Sequence, residues 1–190
     1  MSQSELIVCW NSLAHIVALP KTLDMDKLYN VLFICTGNSA RSIMAEVILN
    51  NLGKDRFRAY SAGSHPRGEV HPLTLQVLSD KGYAIDGLRC KSWDEFARPD
   101  APQMDFIFTV CDRAAGEVCP AWPGQPVTAH WGFADPVTVI GDPAKQLKAF
   151  TSTLFQIGNR IRTFLSLPLA SIDRLSLQNQ LRQMGQERAE

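Results

Sequence analysis

Cys35-Thr36-Gly37-Asn38-Ser39-Ala40-Arg41-Ser42 is the stretch of this 190-residue chain best equipped for chemistry. A loop running seven residues from Cys to Arg lets successive backbone N–H groups turn inward around one tetrahedral oxyanion, and a helix N-terminus behind them adds positive potential. Gly37 gives the backbone freedom, and Asn38 tolerates the left-handed conformation that such a cradle needs. Arg41 adds a guanidinium fork matched to two oxyanion oxygens. Cys35 sits at the bottom of this electropositive bowl, where the thiolate is favoured and its pKa is expected to fall well below the free value of about 8.5. Ser42 can donate a further hydrogen bond to it. The motif therefore reads as a nucleophilic cysteine, Cys35, facing an oxyanion held by Thr36, Gly37, Asn38, Ser39, Ala40, Arg41 and Ser42.

Such a loop needs a strand before it and a helix after it, and the flanking pattern predicts both. Short β-branched or aromatic runs at Val31 to Ile34, Arg58 to Ser61, Met104 to Val110 and Pro126 to His130 alternate with helical periods. Met44, Val47, Ile48 and Leu52 recur at helical spacing, as do Leu147, Phe150, Leu154, Ile157, Ile161 and Phe164, whose helix should end before Pro168. Ile172 to Met184 can form a further amphipathic helix, with Leu177, Leu181 and Met184 on one side. Alternation of this kind predicts an α/β fold: a doubly wound, mainly parallel four-stranded sheet with helices on both faces. In such sheets, sites form outside the carboxyl ends of the strands. A second thiol, Cys111, ends the third run, so parallel strands would put Cys35 and Cys111 on the same edge. The expected organisation is an N-terminal extension over 1–24, a catalytic domain over 25–168 and a C-terminal helix or tail over 169–190.

Composition narrows the function classes. Lys plus Arg and Asp plus Glu both number 19 and the isoelectric point is about 6.9, without the one-sided basic field that binding to nucleic acid or an anionic membrane usually needs. Asn11, Ser12 and His15 interrupt the apolar stretch from Leu6 to Pro20, and no Lys or Arg precedes it, so it reads as neither a signal peptide nor a spanning helix. Five cysteines, Cys9, Cys35, Cys90, Cys111 and Cys119, form an odd set, which suits chemically active thiols in a reducing cytoplasm better than a disulfide framework. Cys9 and Cys90 have no motif around them and read as bystanders. His65, His71 and His130 are scattered, and Cys111-x7-Cys119 lacks a second close-spaced ligand pair, so no metal or other cofactor is expected.

The anion loop, followed by Met44-Ala45-Glu46 and then Ser61-Ala62-Gly63, resembles the low-molecular-weight protein tyrosine phosphatase family. Within that superfamily, Cys111 to Cys119 and His130-Trp131-Gly132-Phe133-Ala134-Asp135-Pro136 resemble its arsenate reductases. The resemblance covers about residues 28 to 165. It implies a thiol relay that reduces arsenate, with phosphate as its analogue. Cys35 would attack arsenic, the loop and Arg41 would hold the oxygens, and Asp135 would act as general acid for the leaving oxygen. Cys111 would then attack the Cys35 sulfur, and Cys119 would resolve the resulting disulfide for reopening by thioredoxin or by glutathione with glutaredoxin. A continuous helix would separate residues 111 and 119 by about 12 Å, whereas a disulfide needs Cα atoms within about 7 Å. The segment must therefore bend, and Gly116 and Pro120 favour that.

Departures from the family pattern sharpen the expectation. Ala40 stands where many relatives have a second loop cysteine, and seven residues rather than six separate Cys111 from Cys119. Asn38, Glu46 and Ser61 match three potassium ligands of some relatives, without a clear further acid near Trp93 and Asp94. The competing reading is a tyrosine or phosphomonoester phosphatase using Cys35, Arg41 and Asp135 alone. Phosphatases of this fold generally follow Asp-Pro with an aromatic, whereas Val137 stands here, which favours the reductase.

Overall fold

The structure, a computed structural model, describes residues 27–117 and 120–186. Four strands, β1 (Tyr29–Cys35), β2 (Phe57–Gly63), β3 (Phe106–Thr109) and β4 (Val127–His130), form one sheet in the order β2-β1-β3-β4, and every pairing is parallel. The chain moves from β1 outward to β2, then crosses back past β1 to β3. The strand order therefore reverses at the crevice between β1 and β3, the place where open α/β sheets bind their ligands. Register pairs Ile34 with Thr109, so Cys35 and Cys111 leave the sheet on either side of that crevice.

Among the described residues, five α-helices connect and cover the strands: α1 (Arg41–Leu52), α2 (Pro72–Asp80), α3 (Asp112–Ala115), α4 (Pro143–Leu165) and α5 (Arg174–Gln186). Helix α4 follows the expected periodicity, burying Phe150, Leu154, Ile157, Ile161 and Phe164. Asp142 caps its start by accepting the Ala144 amide at 2.8 Å, with Pro143 at the first position, where a missing N–H costs nothing. Helix α2 carries no clear sequence period: it is only nine residues long and is opened by His71-Pro72, the His71 ring accepting the Leu73 amide at 3.2 Å. No described helix is long and apolar enough to cross a membrane.

An aromatic stack on one face of the sheet holds the strands against α4. Phe108 stacks on Trp131 at 3.9 Å between centroids, lies 5.6 Å from Phe33 and meets Phe164 of α4 edge-on at 5.3 Å. Side chains alternate across a strand, so Tyr60 faces the other way and packs at 5.5 Å on Phe96, in the 3-10 turn Trp93–Phe96. Helix α5 closes the open edge of β4: Gln178 donates to the Thr128 carbonyl, and the Trp131 indole N–H donates to the Leu181 carbonyl at 3.1 Å. Since Phe108 is fully buried among four rings, those of Phe33, Phe106, Trp131 and Phe164, Phe108→Ala is expected to cost about 3–5 kcal/mol, read as a lowered urea midpoint with an unchanged slope.

Candidate active site

Residues 36–40 lie between the end of β1 and the start of α1, as the motif requires. Asn38 adopts φ 44°, in the left-handed region, and its amide donates to Cys35 Sγ at 3.1 Å. Among the described residues, no protein acceptor takes the amides of Gly37, Ser39 or Ala40. They are the donors a bound oxyanion would use. Asn38 and Ser42 differ from the others, because both are fully buried behind the loop. Asn38 Nδ2 donates to Ser42 Oγ and to Ser61 Oγ, each at 2.9 Å. With its oxygen accepting from Asn38, Ser42 has its own proton free for Cys35 Sγ, 2.9 Å away. Ser42 therefore braces the sulfur from behind and does not line the cleft.

The bracing network extends to Lys91, which the sequence did not flag. Ser61 donates to Glu46 Oε2, which also receives Lys91 Nζ at 3.0 Å, while the Lys91 amide donates to Asn38 Oδ1 at 2.6 Å. Asn38, Glu46 and Ser61 do converge, but the Lys91 ammonium already supplies their positive charge, so the set does not fit a further cation. Cys90 is no bystander: its thiol donates to the Asn38 carbonyl at 2.9 Å, on the back of the loop. Gly63 explains the Ser61-Ala62-Gly63 motif, since a Cβ there would stand 2.6 Å from the Thr36 carbonyl and block the docking of β2 on the loop.

Cys35, Thr36, Gly37, Arg41, Cys111, His130 and Asp135 line one cleft of about 680 Å³, with His65, Arg67, Asp112 and Arg113 also in its lining. Cys111 Sγ lies 3.5 Å from Thr36 Oγ1, the residue after Cys35, and accepts the Ala114 amide at 3.4 Å as the cap of α3. That helix is one turn long and stops at Ala115, so the segment is already bent well before residue 119. Cys119 and Cys9 lie outside the described residues. Arg41 Nη2 pairs with Asp135 Oδ2 at 2.7 Å and its Nη1 donates to the Phe133 carbonyl at 3.0 Å, which ties the aspartate loop down over the cradle.

The expected lowering of the Cys35 pKa is not what the resting site does. Burial pushes the thiol up, and proximity to Cys111 adds to this; the bonds from Ser42 and Asn38 and the charge of Arg41 pull the other way without prevailing. Arg41 is turned onto Asp135, which neutralises much of the field that the sequence reading assigned to the sulfur.

Low molecular weight phosphotyrosine protein phosphatase is the family whose model matches, over residues 30–178. The chain belongs to this family. Curated relatives are called arsenate reductase: that of Halalkalibacterium halodurans is 35% identical over 134 residues, 70% of this chain and 93% of that protein, and that of Bacillus subtilis is 32% identical over the same shares. Among solved structures, an arsenate reductase in its phosphate-binding state matches with TM-score 0.56 and 26% identity, covering 73% of this chain and 97% of the other. A thioredoxin-dependent arsenate reductase of Corynebacterium glutamicum matches with TM-score 0.53 and 28% identity over 73% of this chain, which spans 61% of that protein.

Replacing the Asp135 carboxylate should release Arg41 toward the cradle and favour the thiolate. Asp135→Asn is expected to raise the rate of Cys35 alkylation by iodoacetamide at pH 7 several-fold, with the pH profile moved toward acid. Mass-spectrometric mapping of the alkylated peptide over a pH series checks this.

Proposed function

We propose that the protein is an arsenate reductase working through a cysteine relay. The observation that carries this reading is that two thiols, Cys35 and Cys111, open into one cleft at the sheet's switch point, one of them inside an anion cradle. An arsenate entering the loop takes the free amides and competes with Asp135 for Arg41, which returns positive charge to the Cys35 sulfur. As Arg41 leaves it, Asp135 takes the Cys35 proton; the thiolate then forms a bond to arsenic as an oxygen leaves, and Asp135 passes that proton to the leaving oxygen, so that one water is released. Cys111 attacks the Cys35 sulfur next. The S–S bond forms, the S–As bond breaks with its electron pair passing to arsenic, and arsenite departs as two thiols are oxidised to one disulfide. Cys119 exchanges into that disulfide, and an external thiol reductant, thioredoxin or glutathione with glutaredoxin, restores both thiols.

The relatives' names and the phosphate-bound neighbour support this substrate class. A phosphatase would use Cys35, Arg41 and Asp135 but leave Cys111 without a task. Val137, in place of an aromatic after Asp135-Pro136, also lines the cleft, where it offers no ring to pack on an aryl ester.

Cysteine replacement separates the two activities. Cys35→Ser is expected to abolish both arsenate turnover and aryl-phosphate hydrolysis, whereas Cys111→Ser and Cys119→Ser should lose arsenate turnover with every reductant. Coupled assays with thioredoxin and with glutathione/glutaredoxin, beside an aryl-phosphate assay, check this. Full turnover by Cys111→Ser and Cys119→Ser would refute the relay.

A further inference from the structure

His130 ends β4 directly across from Thr109, which ends β3. Its imidazole lines the cleft and touches residues on both sides of Cys111. Nδ1 lies 2.9 Å from Thr109 Oγ1, two residues before the thiol, and Nε2 lies 3.0 Å from Asp112 Oδ1, one residue after it. A neutral ring satisfies both: Nε2–H donates to the carboxylate, and Nδ1 accepts the Thr109 hydroxyl proton.

Two glycines keep this ring in place. A Cβ at Gly132 would stand 2.8 Å from Asp112 Oδ1 and 3.0 Å from His130 Nε2, so glycine leaves room for the pair without either side chain shifting. A Cβ at Gly185, in the last turn of α5, would collide with the His130 carbonyl, so only glycine lets α5 seat against the backbone of His130. Leu177, Leu181 and Met184 hold that helix in the core, and Trp131, the next residue, is bonded to it. His130 is thus fixed from behind by α5, while its ring reaches forward over the Cys111 segment.

Resting on the relay reading, we propose that His130 is the positioning residue for the second thiol, clamping the Cys111 segment through Thr109 and Asp112. A relay asks two things of Cys111. It must be held beside Cys35 for the first attack, then released toward Cys119. The two halves of the clamp differ accordingly: the Thr109 bond is partly buried at the strand end, whereas Asp112 is 93% exposed. An exposed pair is weak enough to open during turnover.

The test pairs a direct readout with a kinetic one, on the full chain. Asp112→Ala alters an exposed side chain and spares the core; His130→Ala removes the whole clamp, and Asp112→Asn keeps an acceptor for Nε2–H. The first readout is alkylation of Cys111 by N-ethylmaleimide, mapped by mass spectrometry, because Cys111 is otherwise buried. We expect it to rise three- to tenfold in Asp112→Ala and more in His130→Ala, with Asp112→Asn near wild type. The second is the ratio of arsenate turnover to aryl-phosphate hydrolysis, which should fall by a similar factor in the first two variants and recover in Asp112→Asn. Unchanged Cys111 alkylation in both alanine variants would overturn the clamp and leave the relay standing. If instead wild-type arsenate turnover proved independent of Cys111, the relay reading would fall and the positioning role with it.

Discussion

One buried side chain, Asn38, fixes the geometry on which the rest of the site depends. Its left-handed backbone turns the loop, its amide touches the Cys35 sulfur, and its carboxamide ties Ser42, Ser61 and the Lys91 backbone together. Both carboxamide donors and the carbonyl oxygen are engaged, as a buried polar group requires. Loops are usually the mobile part of a fold. Here the loop is held from behind by β2, through Ser61, and by the segment around Lys91, so that its forward-facing amides stay aimed at one point before any anion arrives. Such preorganisation removes the reorganisation cost from the binding step.

Charge balance follows from the same arrangement. A thiol buried at the base of a rigid loop loses hydration, and desolvation keeps it protonated at rest while Arg41 is engaged by Asp135. On the proposed reading this restrains the nucleophile until an oxyanion draws Arg41 away, coupling activation of Cys35 to the presence of substrate. The switch-point topology then brings the second thiol to the same cleft without any large motion, because the ends of β1 and β3 are neighbours in the sheet.

Much of this was legible in the sequence, for identifiable reasons. The strand, loop and helix around Cys35 have strong local signals: an apolar run, a turn-forming Gly-Asn pair and a helical period. The aromatic and aliphatic spacing of α4 is long enough to speak for itself. What escaped notice was determined by contacts between distant segments. Lys91 and Cys90 lie more than fifty residues from Asn38, and no local pattern marks them as its partners. The tightness at Gly63 and Gly185 depends on which backbone each faces across the fold, and that at Gly132 on the side chains of Asp112 and His130. The direction of the Cys35 pKa is not legible in the sequence, which displays the favourable donors but not the depth of burial, nor the aspartate that occupies Arg41.

The central claim is that Cys35 and Cys111 act as one redox unit on an oxyanion held by the 36–42 loop. Its most direct test is an anaerobic single turnover of pre-reduced protein with one equivalent of arsenate and no external reductant, with arsenite counted and disulfides mapped by mass spectrometry. The account predicts one arsenite per chain and a disulfide joining Cys111 to Cys119, with Cys35 returned to the thiol. An equal yield of arsenite from Cys111→Ser, with no disulfide formed, would contradict it.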